Sequence, residues 1–472
     1  MCAQTPLFAY LRSQLASRDT CASVESLGGG LFVSAFELYR IGPGPSSTYT
    51  IGPQRAALRF VHDIAADGLL PMVHRIEAEL YGGLAFQGRD HATSHAIVAG
   101  LCGVIPERCD GAALRQCHAR AEAEAGVLLN GKHRARLDTS RDIRQVIEHS
   151  LAYDGNAVRF LVRDTRGDVL ASRVYFSIGG GDVIGEDDQA GARAPRVPYS
   201  FNSAQSLLDV CRMQGKRVSD LVRANECALY SPAEVRVALA SIAQTMRSSV
   251  ERGINAEGKL PGGRRRSASA WNDAVRATGA MPEQVCSVYA TAVGEENAVG
   301  GKVVAAPSSG AAGPVAALLQ LWRDTAPLAH EEGSADFLLA GAAVGCILRS
   351  AGVRQAGCQG EIGVAAAMAA AGYAAVHNAS NGQILFAAER ALEPHLGLGC
   401  DLATGRVEDP CIERGALAAA RAYSAAVAAV RHPNPRVGLD ALANSLKESA
   451  RSMTGRYKES SIGGVAVNVV EC

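Results

Sequence analysis

Four cysteines in the C-terminal half are the residues most able to do chemistry. Cys358 lies in Ala-Gly-Cys-Gln-Gly-Glu, Cys400 in Leu-Gly-Leu-Gly-Cys-Asp, Cys411 in Asp-Pro-Cys-Ile-Glu-Arg, and Cys472 is the last residue. Cys472 closes the run Val465-Ala466-Val467-Asn468-Val469-Val470-Glu471. Chain ends are usually polar and frayed, so this apolar run reads as a buried strand or extended segment that delivers a thiolate. Structural zinc sites take their ligands in close pairs such as Cys-x2-Cys, and no such pair occurs. The successive separations are 42, 11 and 61 residues, which suits a site gathered from several segments. Four thiolates can hold a cuboidal iron–sulfur cluster. Gly357, Gly360 and Gly399 flank Cys358 and Cys400 and would let backbone amides approach cluster sulfides. Alone, each cysteine reads as an inert core thiol. Together, with those glycines, they favour a [4Fe-4S] cluster. A ligand on a chain end is also the one most easily moved aside for a substrate.

The elements that must position these thiols come in two kinds. From Phe36 to about Asp188 the chain is mixed α/β. Gln54–Asp67 and Ser94–Cys102 have amphipathic helical periodicity, and Val158–Val162 and Val169–Ile178 alternate around Asp164-Thr165-Arg166-Gly167-Asp168, a hairpin signal. Gly179-Gly180-Gly181 is read as the end of that sheet, and the stretch to Pro198 as a linker. From Ser203 onward, Ala, Leu, Val and Gly fill long helical segments: Pro232–Arg252, Pro314–Trp322, Ile362–Ala375 and Ala416–Val430. The fold class expected is therefore α+β: a leader over 1–33, an α/β domain over 34–190, and a large, mainly helical domain over 200–472.

Bulk properties narrow the partners. With 47 basic and 47 acidic residues there is no electrostatic case for nucleic acid or an anionic membrane. The basic run Arg264-Arg265-Arg266 reads as a solvated or substrate-facing loop. No secretory signal pattern is present, and apolar runs such as Phe337–Leu348, about 12 residues, are too short to span a bilayer. A cytoplasmic protein is expected, in which the 13 cysteines would not form a disulfide framework.

Several motifs resemble the iron–sulfur L-serine dehydratases. They are Gly357-Cys-Gln-Gly-Glu-Ile-Gly-Val364, His395-Leu-Gly-Leu-Gly-Cys-Asp401, Pro410-Cys-Ile-Glu-Arg414 and Arg456-Tyr-Lys-Glu-Ser-Ser-Ile-Gly-Gly-Val-Ala-Val-Asn468. The likeness continues in Phe36–Gly42, Leu80–Ala85, Tyr175–Gly181 and Glu295–Ala298, and covers residues 34–472. It implies a regulatory-type α/β domain, a helical catalytic domain and a homodimer. It further implies that Cys358, Cys400 and Cys411 ligate three irons while Cys472 caps the fourth. The chemistry implied is elimination of water from a β-hydroxy amino acid, the fourth iron acting as a Lewis acid on the hydroxyl and a base taking the Cα proton.

The substrate side departs from the family pattern. Where relatives carry Pro-Ser-Ser-Ser-His-Thr-x-Gly-Pro, this chain has Pro45-Ser46-Ser47-Thr48-Tyr49-Thr50-Ile51-Gly52-Pro53. Tyrosine, with a pKa near 10, does not serve unaided as a base at neutral pH. Pro394 precedes His395 where a second imidazole or Asn is usual, Ala306-Pro-Ser-Ser309-Gly310 replaces Ala-Pro-Thr-Asn-Gly, Leu402 follows Asp401, and Gly415 follows Arg414. Candidates for catalysis are Tyr49, His395 and Glu361. Candidates for substrate binding are Ser46, Ser47, Thr48, Thr50, Ser308, Ser309, Gly310 and Arg414. Serine dehydration is the first reading. A different β-substituted amino acid, with Arg406 or the 264–266 arginines meeting an extra anionic group, is the second, and an inactive cluster-containing binding protein the third. Lys302 as a pyridoxal Schiff-base lysine is disfavoured, because nothing around it builds a phosphate cradle.

Overall fold

The computed structural model describes residues 32–88, 91–147, 156–188, 196–279, 281–326, 330–350, 356–403, 405–431, 437–458 and 463–468. Nearly all of the expected leader and the terminal Cys472 lie outside these residues. The chain divides into two compact units: one takes the described residues of 41–190 with 299–302, the other the remainder.

In the first unit, helix α1 (Gly52–Ala66) starts with Pro53 in its first turn, where the missing amide costs nothing. Its buried stripe of Ala56, Ala57, Phe60, Val61 and Ile64 packs on a sheet. The strand β1 (Arg75–Tyr81), helices α2 (Thr93–Leu101) and α3 (Gly111–Glu124), and strands β2 (Gly126–Leu129), β3 (His133–Arg136), β4 (Ile143–Val146), β5 (Ala157–Arg163), β6 (Val169–Ser177) and β7 (Val183–Gly185) follow. The sheet order is β2-β3-β1-β5-β6-β7, with β4 also on β1. β1 runs antiparallel to β5, placing Ile76 opposite Val162 and Leu80 opposite Val158, and parallel to β3 and β4. The β5–β6 hairpin is the one the sequence signals. Asp164 Oδ1 accepts from Arg166 N at 2.8 Å and Asp168 N at 3.0 Å, closing its turn. The expectation that Gly179–Gly181 ends the sheet is wrong. The triplet is a turn, and β7 returns to pair with β6, Ile184 opposite Phe176.

The second unit is helical: α4 (Ala204–Gln214), α5 (Val218–Leu229), α6 (Pro232–Asn255), α7 (Ala268–Ala277), α8 (Pro282–Ala298), α9 (Ala312–Thr325), α10 (Glu331–Ser350), α11 (Val364–Val376), α12 (Asn381–Leu392), α13 (Cys411–Arg431) and α14 (Leu439–Ser452). At the centre, α11 is buried from Val364 to Ala374 and packs against α9, α10, α12 and α13. Its seven alanines over that span allow such close packing on all sides. Helix α10 has 20 residues, longer than the apolar run suggests, and its length and composition would let it cross a bilayer. Its apolar window is 83% buried within the protein, so it is a core helix here. The C-terminal run is not the expected strand over its described part. Gly464–Val467 forms a 3-10 turn, with Val467 60% exposed.

One buried acid in this unit gives a pH prediction. Glu226 of α5 accepts from Ser34 Oγ at 2.8 Å and Ala35 N at 2.6 Å. Burial raises its carboxyl to about 8, against those two hydrogen bonds, from an ordinary value of 4.5. Between these values the folded chain holds a proton that the unfolded chain has lost. This stabilisation is therefore complete below the unfolded value and declines as pH rises through about 8. Glu226→Gln should flatten the fall of the thermal midpoint by several degrees between about pH 5 and 8. Identical pH slopes for variant and wild type would show that Glu226 does not titrate this way.

Candidate active site

Two predicted motifs form single π-helical turns that run directly into helices. Ser47–Ile51 leads into α1 and Gln359–Gly363 into α11. Such turns recur at functional sites, because the widened turn re-aims a side chain.

The hydroxyl-rich motif belongs to the sheet unit. Ser46 Oγ accepts from Tyr49 N at 3.1 Å and caps the turn, while Ser46 O accepts from Thr50 N and Ile51 N. Thr50 Oγ1 donates to His91 O at 2.8 Å, Thr93 Oγ1 to Tyr49 O at 2.6 Å and Ser177 Oγ to Thr48 O at 2.7 Å. The motif is thus held from several neighbouring segments, and Ser46, Ser47, Thr48, Tyr49 and Thr50 are all buried. The Tyr49 ring lies 5.0 Å from that of His91. Its hydroxyl sits over Gly83, where a Cβ would approach it to 2.9 Å. His91 Nδ1 is 2.8 Å from Gln87 O.

The three internal cysteines belong to the helical unit, and all are buried. Cys358 precedes the π turn; Cys400 follows the loop after α12; Cys411 is the first residue of α13. The first two segments are laced together: Gln359 N donates to Leu398 O at 3.0 Å, and Gly397 N to Gln359 Oε1 at 2.8 Å. Gly357 has φ of +67°, and a Cβ there would stand 3.3 Å from Cys400 N, so this close approach needs glycine. Cys400 N donates to Tyr457 O at 2.7 Å. Arg414, one helical turn after Cys411, reaches both segments, donating to Cys358 Sγ at 3.3 Å and Gly399 O at 3.0 Å. It also pairs with Asp401 at 3.0 Å. Burial opposes its charge, but Cys358 and Asp401 outweigh that and keep it cationic. The Cys411 thiol is pushed well up by burial, then by the neighbouring Cys358 and Glu361.

The other candidates fall as follows. His395 is buried in a 3-10 turn after α12, its Nδ1 2.9 Å from Ala391 O, and its Cβ lies 2.8 Å from where a Gly363 Cβ would stand. A carbonyl only accepts, so Nδ1 carries the proton and neutral His395 keeps its Nε2 lone pair. Burial lowers its pKa, favouring that neutral form. Glu361 Oε2 would lie 3.7 Å from a Cβ on Gly310, so the Ser308–Gly310 segment adjoins the Cys358 turn. Ser309–Ala311 forms a short 3-10 turn before α9. Leu402 is buried, and a side chain on Gly415 would meet nothing within 4 Å. In the basic run Arg265 is exposed, as a solvated loop would have it, whereas Arg264 pairs with Asp409 at 2.7 Å and with Glu413, and Arg266 with Glu296 at 2.8 Å. Those two guanidiniums are committed to the protein's own carboxylates.

Among the described residues, no three His, Cys, Asp or Glu side chains are grouped tightly enough to hold one metal ion. Cys358 is close enough to Cys411 to raise its thiol, and the Gly357 backbone abuts Cys400 N, so thiols from three separate segments lie in one neighbourhood, as a polynuclear group requires. Gln359 Nε2 and Ser308 Oγ are buried with no hydrogen-bond partner among the described residues, leaving donor capacity beside the same turns. The donor set fits an iron–sulfur cluster. Sequence reading missed Asp401 as a contact hub; its place directly after Cys400 was the available signal.

Comparison with known proteins agrees with this organisation. The serine dehydratase beta chain family model matches residues 34–188, and the serine dehydratase alpha chain model matches residues 213–466. The chain is 37% identical over 456 residues to L-serine dehydratase 2 of Escherichia coli (strain K12), covering 93% of this chain and 100% of that one. It is 37% identical over 454 residues to the L-serine dehydratase of Streptomyces coelicolor, with 93% and 100% covered. With both family regions in one polypeptide and relatives matched over their full length, the chain belongs to the serine dehydratase family.

Proposed function

We propose that this carbon–oxygen lyase eliminates water from L-serine, giving pyruvate and ammonia. The observation that carries the reading is its full-length match to L-serine dehydratases, supported by the convergence of Cys358, Cys400 and Cys411 around Arg414. These three cysteines, with Cys472, would hold a [4Fe-4S] cluster, which supplies a Lewis acid for the β-hydroxyl. The protein's own groups do the rest. Neutral His395 takes the Cα proton at Nε2, and Glu361 and the Ser308–Gly310 turn orient the amino acid. Loss of hydroxide leaves an enamine that tautomerises and hydrolyses in water. A homodimer is part of this reading.

Anaerobic purification should give a brown protein with about four irons per chain that releases ammonia and pyruvate in equal amounts from L-serine. A colourless protein with stoichiometric zinc would sink the cluster assignment. A brown protein that releases ammonia from no amino acid would favour a binding role.

A further inference from the structure

Asp401 sits where three parts of the helical unit meet. Its Oδ1 accepts from Arg414 at 3.0 Å, and the same arginine donates to Cys358 Sγ at 3.3 Å. Its Oδ2 accepts from Val465 N at 2.6 Å, in the Gly464–Val467 turn. Gly464 has φ of +61°, and a Cβ there would collide with the same carboxylate oxygen. The backbone thus comes up against the carboxylate at a residue that must lack a side chain. Asp401 is buried, so neither of its bonds is readily replaced by water.

We propose that Asp401 is a positioning residue that clasps the C-terminal turn to the arginine holding Cys358. One carboxylate ties the seating of residues 463–468 to the Arg414–Cys358 contact, so the turn cannot leave without loosening that contact, or the reverse. The inference builds on the reading of Cys358 as a cluster ligand, although its geometry stands without it.

Amide hydrogen exchange on the purified full-length chain tests the clasp without measuring turnover. Asp401→Asn has one oxygen to serve two donors, and exchange at 464–468 should rise about tenfold or more. Arg414→Gln should raise the same exchange, although among the described residues the hydrogen bonds of Arg414 go to Cys358, Gly399 and Asp401 and not to that turn. The double variant should rise no further than Asp401→Asn alone, because the two act as one unit. Additive effects, or no effect of Arg414→Gln, would reduce Asp401 to a local anchor and overturn the coupling. If Asp401→Asn loosens the whole chain, Gly464→Ala serves instead. It pushes on the carboxylate from outside the helical core and should raise exchange only over 463–468 and around Arg414. Unchanged exchange there overturns the clasp. A chain that shows the coupling but makes no pyruvate keeps the clasp and loses the serine reading.

Discussion

Cys411→Ser is expected to cut ammonia release from L-serine about a thousandfold while leaving the fold intact. The anaerobically purified variant should be pale, with markedly less than the wild-type iron. The Lewis-acid contribution is worth several kcal/mol, so activity should fall by about three orders of magnitude. The reason lies in the position of Cys411. It is buried at the start of α13, beside Cys358 and Glu361, whose charges add to burial in raising its thiol. A buried thiol beside like charges is a poor place for a bare thiolate, and cationic metal is what makes ionisation favourable there. The matching control is Cys286→Ala. Cys286 is also buried, its thiol pushed up by burial above all, but on α8, which packs along α13, it lies beside Tyr373 and Tyr423. That variant should keep colour, iron and turnover. Equal loss in both variants would mean that packing explains the first result.

The legible features were those fixed by local chemistry. The Asp164–Asp168 hairpin and the alanine-rich helices follow from residue type and spacing, and the structure places them as expected. The features that escaped depend on which distant group lies opposite. The arginines at 264 and 266 look available in sequence, but Asp409, Glu413, Glu295 and Glu296 reach them from remote segments. Glycines 179–181 are a break by composition, yet β6 still had an open edge that β7 could fill. Asp401 is an ordinary acid in the sequence. Its role emerges only when the turn at Val465 and the start of α13 meet it. The C-terminal run reads as a strand by apolar content, but Gly463-Gly464 bends it and no described strand lies beside it to pair.

Tyr49 should show whether the altered motif has changed the reaction. Its ring packs against His91 and its hydroxyl lies over Gly83. Tyr49→Phe keeps the ring packing and removes only the hydroxyl. If that hydroxyl donates a hydrogen bond in the reaction, kcat/KM should fall about 10²-fold, with little change in thermal midpoint. A drop in stability without a drop in kcat/KM would make Tyr49 a packing residue. Tyr49→His restores the imidazole that relatives carry in this motif, and the smaller ring fits the same space. It should add a second ionisation near pH 6.5 to the kcat/KM profile for L-serine. His395 titrates below that value because burial lowers its pKa, so the wild-type profile should show only the lower step. If the chain is specialised for another β-substituted amino acid, Tyr49→His should also raise turnover of L-serine. If wild type already turns over L-serine as well as the variant, the tyrosine has been accommodated within ordinary serine chemistry and the specialisation is ruled out.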